Sequence, residues 1–134
     1  MSPYTFSVRL PLSITAAEQG VRSELKRELF GIISEIDIQA KLREKLGVEH
    51  PPHKILGACN PKLAYQALRE NTDVALALPC NVVLEERDGQ TTVTALFPSA
   101  ALRIFKGHKV RESEQAAETA LKRVFTALTP LSRS

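Results

Sequence analysis

The stretch DVALALPCNVVLEERDGQTTVTALFP, residues 73–98, decides the fold that we predict for this chain. Its first part, residues 74–84, is the longest nearly uninterrupted apolar run in the sequence, and such a run is typical of a buried strand. Asp88-Gly89 supplies the positive φ angles of a two-residue hairpin turn. Residues 91–97 are rich in β-branched side chains and predict the returning strand. We therefore predict a long strand, a tight turn and a second strand.

The chain before this hairpin alternates strands and helices. Residues 4–10 alternate apolar and polar side chains, which predicts a strand with one buried face. A helix follows, with Thr15 as its N-cap and Gly31 at its end. Short strands are predicted over 32–36 and 54–59, and each leads into a helix.

Local signals mark the ends of these later helices. Asp37 is the expected cap of the second helix and Gly47 its end, with three apolar side chains facing inward: Ile38, Leu42 and Leu46. Asn60 is the expected cap of the third helix, and Pro61 suits its first turn.

The chain after the hairpin predicts a long final helix capped by Ser113. Apolar residues recur on one face of this helix: Ala116, Ala117, Ala120, Leu121, Val124, Phe125 and Leu128. Because the hairpin requires antiparallel pairing, the element order favours an α+β fold, with an antiparallel or mixed sheet and helices on one face.

Composition and charge limit the classes of protein to which this chain can belong. Of the 134 residues, 43% are hydrophobic and 25% charged, and a chain of this size buries about 68% of its unfolded surface. We predict one domain over 1–134, with a core over 4–128 and a frayed tail over 129–134. With a net charge of only +3 and no Trp, we expect no nucleic-acid partner. We find no signal peptide and no membrane span, and we expect a cytoplasmic protein with two free thiols.

Two Cys-Asn dipeptides, Cys59-Asn60 and Cys80-Asn81, are the candidate functional residues of this sequence. Cys59 lies just before a helix capped by Asn60, so the helix's partial positive charge is expected to lower the pKa of the thiol. The alternative is that Cys59 and Cys80 are small buried side chains on neighbouring strands. Asn60 likewise is either a helix cap or a ligand contact.

The second of these dipeptides, Cys80-Asn81, lies inside the apolar run. The amide of Asn81 must find partners there, either loop backbone or a ligand. Pro79 cannot donate to a strand ladder, which implies an edge position or a bulge. Both faces of the run are apolar, so the second face is either covered by a partner subunit or lines a pocket.

The sequence identifies no cofactor, and we expect no metal site. It has no Gly-rich phosphate loop, no Gly-x-Ser-x-Gly elbow and no Cys-x-x-Cys pair. The spacing of His50 and His53 matches no standard zinc pattern, and we expect the two intervening prolines to hold the imidazoles rigid but not convergent. Glu35 and Asp37 could act as paired carboxylates, although Asp37 already has a capping role.

Three blocks in order, residues 31–42, 55–61 and 78–83, resemble the bacterial and archaeal family called domain of unknown function 302. The similarity runs over residues 4–128. It implies a TATA-binding-protein-like α+β fold, in which an antiparallel sheet packs on a long C-terminal helix, often as a dimer, and it implies no established activity. The motif residues that carry over are Glu35, Asp37, Gly57, Cys59, Asn60, Pro61, Pro79, Cys80 and Asn81.

The chain departs from the family after the hairpin. The family tends to have an acidic residue before a proline, whereas here Phe97 precedes Pro98. If that acid belongs to a site, the site is altered or absent in this protein.

We therefore expect a small cytoplasmic binding domain, a homodimer, that binds a small molecule without catalysis of its own. Its pocket is expected between the sheet and the last helix. The candidate ligand-binding residues are Cys59, Asn60, Cys80, Asn81, Glu35 and Asp37. The alternative is a thiol-based redox or sulfur-transfer protein that acts through Cys59, and a third hypothesis is an interaction module that docks a partner on its sheet.

Overall fold

All strand pairs in the structure are antiparallel, as the hairpin predicts. The structure is a computed structural model that describes residues 2–133. Within that range, five strands form one sheet in the order β1-β5-β4-β3-β2. The strands are β1 Thr5–Leu10, β2 Gly31–Asp37, β3 His53–Cys59, β4 Cys80–Arg87 and β5 Gln90–Leu96. The α-helices are α1 Ile14–Arg27, α2 Ile38–Leu46, α3 Pro61–Glu70, α4 Pro98–Leu102 and α5 His108–Leu128. The predicted α+β fold is confirmed.

The core lies between one face of the sheet, here called the inner face, and helices α1 and α5. Alternate strand residues point into it because strand side chains alternate between the two faces. The fully buried side chains of this core include Leu10, Leu25, Leu56, Leu84, Val93 and Leu121. The opposite face, here called the outer face, carries one row across all five strands: Ser7, Thr94, Val83, Ile55 and Ile36.

The predicted hairpin turn is confirmed. Asp88 and Gly89 have φ angles of 53° and 75°, and Arg87 pairs with Gln90 across the turn. Asp adopts this left-handed backbone conformation more readily than a β-branched residue does, and Gly adopts it without steric cost.

The long strand predicted over 74–84 is wrong in its first part. Residues Thr72–Ala77 form a 3₁₀ helix, the Leu78-Pro79 peptide bond is cis, and β4 begins at Cys80. The side chain of Asn71 starts the 3₁₀ helix by accepting a hydrogen bond from the Asp73 amide. Val74 is fully buried in a second, smaller apolar cluster beside α3, α4 and α5. The first part of the apolar run therefore packs in the smaller cluster, through Val74, and the last part packs in the main core, through Val82 and Leu84.

The boundaries of α1 differ from the prediction. Ser13, not Thr15, is the N-cap, and its hydroxyl accepts a hydrogen bond from the Ala16 amide. The helix ends at Arg27, and Leu29 takes the left-handed conformation (φ 67°). Gly31 instead opens β2.

The predicted caps of α2 and α3 are confirmed, but the predicted burial of α2 is wrong. Asp37 accepts a hydrogen bond from the Ala40 amide, and Gly47 ends the helix at φ 65°. No α2 residue that the structure describes is fully buried, and Leu46 is 70% exposed. This helix therefore extends from the edge strand β2 instead of joining the core.

The start of the last helix was also predicted incorrectly. Helix α5 begins at His108, after Gly107, so Ser113 lies inside the helix and is buried. Of the predicted apolar face, Ala116 is exposed and the other six residues are buried. Residues Thr129–Arg133, predicted to be frayed, form a 3₁₀ helix. Among residues 2–133, no helix combines the length and the apolar character needed to cross a membrane.

Gly57, one of the family motif residues, is required by a close approach of neighbouring atoms. It lies in β3 opposite Ser34 of β2 and Asn81 of β4. A Cβ at this position would overlap the Ser34 hydroxyl and lie 2.7 Å from Cγ of Pro79. Any side chain here would force neighbouring atoms of the sheet apart.

We predict that Gly57→Ala destabilises the domain by about 1–3 kcal/mol through overpacking, as measured by urea unfolding. Gly31→Ala is the control, because a Cβ there has no neighbouring atom within 4 Å, and it should change stability by no more than about 0.5 kcal/mol. Adding Ser34→Ala to the Gly57 variant should restore part of the loss. Equal effects at the two glycines would contradict this explanation.

Candidate functional site

Three of the predicted site residues meet at one end of the sheet. Cys59, Asn60 and Cys80 line a small space under α3, here called the inner cavity, because Cys80 pairs in the sheet with Ala58, the neighbour of Cys59. Ser113 of α5 and Leu102 of α4 complete the wall between the sheet and the last helix. Its volume is about 30 Å³, room for about one water-sized molecule. Metabolite pockets are usually at least 300 Å³, so this cavity is too small for one.

Ser113 contributes a polar group that the sequence analysis missed. Its residue is 3% exposed, and its Oγ makes no hydrogen bond to the residues that the structure describes. The signal was present in the spacing, because Ser113, Ala117 and Ala120 recur on one helical face. The assignment of Ser113 as a cap hid it.

The expected lowering of the Cys59 pKa is wrong. Burial raises the pKa of the Cys59 thiol, and burial together with the neighbouring Cys59 raises the pKa of Cys80 to about 11. The start of α3 is already occupied by the Asn60 side chain. Its Oδ1 accepts the hydrogen bond from the Leu63 amide, a donor that an anion at this end of α3 would need.

Asn60 serves the fold with both ends of its amide. Besides capping α3, its Nδ2 donates to the carbonyl oxygen of Glu28 at 3.5 Å, which connects α3 to the end of α1. Of the two roles left open for Asn60, the structure shows the helix cap.

Asn81 lies apart from the inner cavity. It is exposed on the outer face, in register with Gly57, and it lines a second space, here called the outer groove. Cys80 and Leu102 line this groove as well, together with Ala77, Pro79, Leu96, Pro98 and Ala101. The groove has a volume of about 300 Å³ and a mostly apolar wall. It exists because the apolar run turns from the 3₁₀ helix into β4 at Pro79 and passes beside α4.

Glu35 and Asp37 lie away from both spaces. Glu35 forms ion pairs with Arg22 (2.8 Å) and Lys54 (3.8 Å), which also bind Glu18. Burial opposes ionisation of Glu18, but the hydrogen bonds from Lys54 and Arg22 outweigh it and lower the pKa of this carboxyl. Asp37 caps α2. The structure therefore places these two carboxylates in a charge network and in a helix cap.

Phe97, the departure from the family pattern, joins an aromatic cluster. Its ring meets that of Phe6 edge-on at a centroid distance of 4.5 Å, and Phe6 stacks on Phe125 at 5.3 Å. An apolar contact thus stands at the position where the family resemblance led us to expect an acid. Beside it, a wide polar cleft of about 640 Å³ runs between α4 and α5.

The acidic groups of that cleft are already engaged within the fold. Glu114 is 1% exposed and binds Arg103 at 2.6 Å and Arg111 at 3.3 Å, while Glu118 accepts a hydrogen bond from the Ser99 amide. Glu114 could not be singled out from the sequence, because nothing local distinguishes it from the exposed acids of α5.

The expectation that His50 and His53 do not converge is wrong. Nε2 of His50 lies 3.0 Å from Nδ1 of His53, and the rings stack with centroids 5.2 Å apart. Glu85 lies beside them because it pairs directly with His53 across β3 and β4. Ligand atoms of the three side chains all lie within 4.8 Å of one another.

Comparisons with known proteins match this architecture. The family model described as "Domain of unknown function DUF302" matches residues 6–128. No curated protein matches the chain. Among solved structures, the crystal structure of an uncharacterised conserved DUF302 protein from Bacillus stearothermophilus is similar, with a TM-score of 0.83 and 25% sequence identity. The alignment covers 93% of this chain and 98% of that one. The three sequence blocks, the antiparallel sheet with its long last helix and the match over 6–128 agree: this chain belongs to the DUF302 family of domains of unknown function.

Proposed function

We propose that this protein is a small cytoplasmic binding domain whose ligand occupies the outer groove. The observation that carries the proposal is the groove's volume of about 300 Å³ combined with its mostly apolar wall. Small-molecule sites are typically concave and mostly apolar, with a few polar groups that orient the ligand. The exposed amide of Asn81 is the polar group at this groove.

The inner cavity and the polar cleft between α4 and α5 suit such a ligand less well. The inner cavity, at about 30 Å³, is too small for a metabolite. The polar cleft between α4 and α5 is larger, but its acids Glu114 and Glu118 already pair with protein groups. A ligand there would have to compete with those contacts.

The chemistry of the groove defines the class of ligand. Its wall offers side chains of Ala, Leu and Pro and the sulfur of Cys80, and no ionic group lines it. A charged ligand would lose hydration there without compensation. We therefore propose a small, largely apolar molecule with one group that hydrogen-bonds to the Asn81 amide.

We predict that filling the groove abolishes binding. Ala101→Phe places a ring in the groove, whereas Ala100→Phe is the matched control on the exposed side of the same short helix. Native mass spectrometry of the purified protein and the fluorescence of N-phenyl-1-naphthylamine, an uncharged apolar probe, measure occupancy. We expect wild type and Ala100→Phe to bind alike and Ala101→Phe to bind at least about tenfold more weakly.

Asn81→Ala separates ligand recognition from folding. Because Asn81 is exposed, its removal should change stability by less than about 0.5 kcal/mol, while affinity for a co-purified ligand should fall. Equal binding by wild type and both Phe variants would contradict the proposal, as would a wild-type protein that carries no ligand and binds no probe.

The cysteines allow a direct check of the thiol-based alternative, which no observation favours. At pH 8 only about 0.1% of a thiol with a pKa of about 11 is ionised. We predict that iodoacetamide labels Cys80 far more slowly than free cysteine, with a rate that rises about tenfold per pH unit up to about pH 11. Cys59→Ser and Cys80→Ser assign the two rates. Labelling of Cys59 at pH 7 faster than free cysteine would restore the alternative.

We further propose that two copies of the chain associate, as the family resemblance implies, and that they do so through the outer face. The supporting observation is the apolar part of the row across the sheet, Val83, Ile55 and Ile36, of which Ile36 is 45% exposed. Exposed contiguous apolar surface is typical of interfaces.

We predict that Ile36→Lys weakens self-association at least about tenfold in sedimentation experiments, because it buries a charge against the partner's sheet. Leu76→Lys is the control, since Leu76 is 83% exposed on the 3₁₀ helix and not on the sheet. A monomeric wild type, or equal effects of the two charges, would contradict association through this face.

A further inference from the structure

We propose that His50, His53 and Glu85 form a binding site for a divalent transition-metal ion of the Zn²⁺ class. The ligand atoms of all three side chains lie within 4.8 Å of one another. The site is separate from the outer groove. Glu85 lies four residues beyond Asn81 on the same strand, about 13 Å away at about 3.3 Å per residue.

The fold brings the three side chains together through sheet register. His53 opens β3 and Glu85 lies directly opposite it on β4, so both side chains project from the outer face. The segment just before His53 brings His50 close to these two side chains, and the His50 ring stacks on the ring of His53. No spacing rule finds this set, because the carboxylate comes from another strand.

The geometry is close to that of a metal chelate. A tetrahedral zinc ion with Zn–N bonds of about 2.0–2.1 Å separates two ligand nitrogens by about 3.3 Å. Nε2 of His50 and Nδ1 of His53 are 3.0 Å apart. These two nitrogens therefore need to separate by only about 0.3 Å, whereas the Glu85 carboxylate, which lies within 4.8 Å of the imidazole ligand atoms, has to move towards the ion. Two imidazoles with one carboxylate are the protein ligands of many zinc sites that keep a further position open.

Several contacts hold the site in place. Pro51 and Pro52 restrict the backbone between the histidines, and the carbonyl of Pro52 accepts a hydrogen bond from the Glu86 amide at 2.9 Å. Gln39 of α2 donates to the carbonyl of His50 at 3.0 Å. These contacts fix the histidine loop to β4 and to α2, so a metal ion would find its ligands largely preorganised.

The surrounding charges select the class of metal. Arg87 donates to Oε2 of Glu85 at 3.0 Å, which orients the carboxylate as outer-shell donors orient metal ligands. Arg9 and Arg87 line the polar groove next to Glu85. Calcium requires six to eight oxygen ligands, and one carboxylate among arginines does not supply them. Imidazole nitrogen favours zinc, nickel, cobalt or copper.

The test is titration of the full-length protein, prepared without a polyhistidine tag, with Zn²⁺ by isothermal calorimetry. The variants His50→Gln, His53→Gln and Glu85→Gln each remove one ligand. His108→Gln is the matched control, because His108 is the third histidine of the chain and lies at the start of α5, outside the cluster. Circular dichroism melts establish that each variant is folded.

We expect one Zn²⁺ per chain for wild type and for His108→Gln, with affinities within about twofold of each other. Either histidine variant of the cluster should bind at least about 100-fold more weakly, and Glu85→Gln about tenfold more weakly, since the loss of even an outer-shell partner costs about 10–100-fold. Co²⁺ should give the visible absorption of a site with nitrogen and oxygen ligands.

Three results would overturn the proposal. The first is a wild-type protein without stoichiometric Zn²⁺ binding, which would leave His50 and His53 as a hydrogen-bonded pair. The second is an equal loss of affinity in His108→Gln. The third is a near-ultraviolet thiolate charge-transfer band with Co²⁺, which would place the metal at Cys59 and Cys80 instead.

Discussion

The packing of α5 against the inner face and the short helix α4 is the interaction on which both apolar clusters of this domain depend. The second half of the helix places Leu121, Phe125 and Leu128 in the main core, against strand residues such as Leu10 and Val93. Because α1 occupies the same face, a sheet of five strands has both of its large helices on one side. The outer face is thereby left to carry the histidine cluster and the apolar row.

The first half of α5 packs in the smaller apolar cluster and also carries a buried carboxylate, that of Glu114. Val110 packs in the smaller cluster with Ala67, Val74 and Leu102. One turn later, Glu114 is buried and paired with two arginines. An unpaired buried carboxylate would be strongly unfavourable.

One of those arginines also secures the backbone around α4. Arg111 donates to the carbonyl oxygens of Leu102, Arg103 and Phe105, the turn that leaves this short helix. A helix of five residues has little stability of its own. The position of the wall of the outer groove therefore depends on a polar contact of α5.

What the sequence predicted follows from how local each signal is. Asp88-Gly89, Asp37 and Asn60 act through their own backbone or the next turn, so the hairpin and two helix starts were predicted correctly. The run over 74–84 was not, because a short apolar segment has the same composition in a buried strand and in a buried helix. The histidine cluster and the inner cavity were harder to predict than the secondary structure. Glu85 meets His53 only through strand register, so spacing could not locate it. The spacing of Ser113 to Ala117 and Ala120 indicates its burial only if α5 begins before Ser113, as it does at His108.

Cys80 and Leu102 have a property that follows from their position in two walls. Each lines both the inner cavity and the outer groove, so together they form a partition between the surface and the space beneath α3. A smaller side chain at either position would thin the wall between the outer groove and the space that Ser113 lines. Two side chains that are otherwise ordinary packing residues thus keep the buried hydroxyl of Ser113 separate from the surface groove.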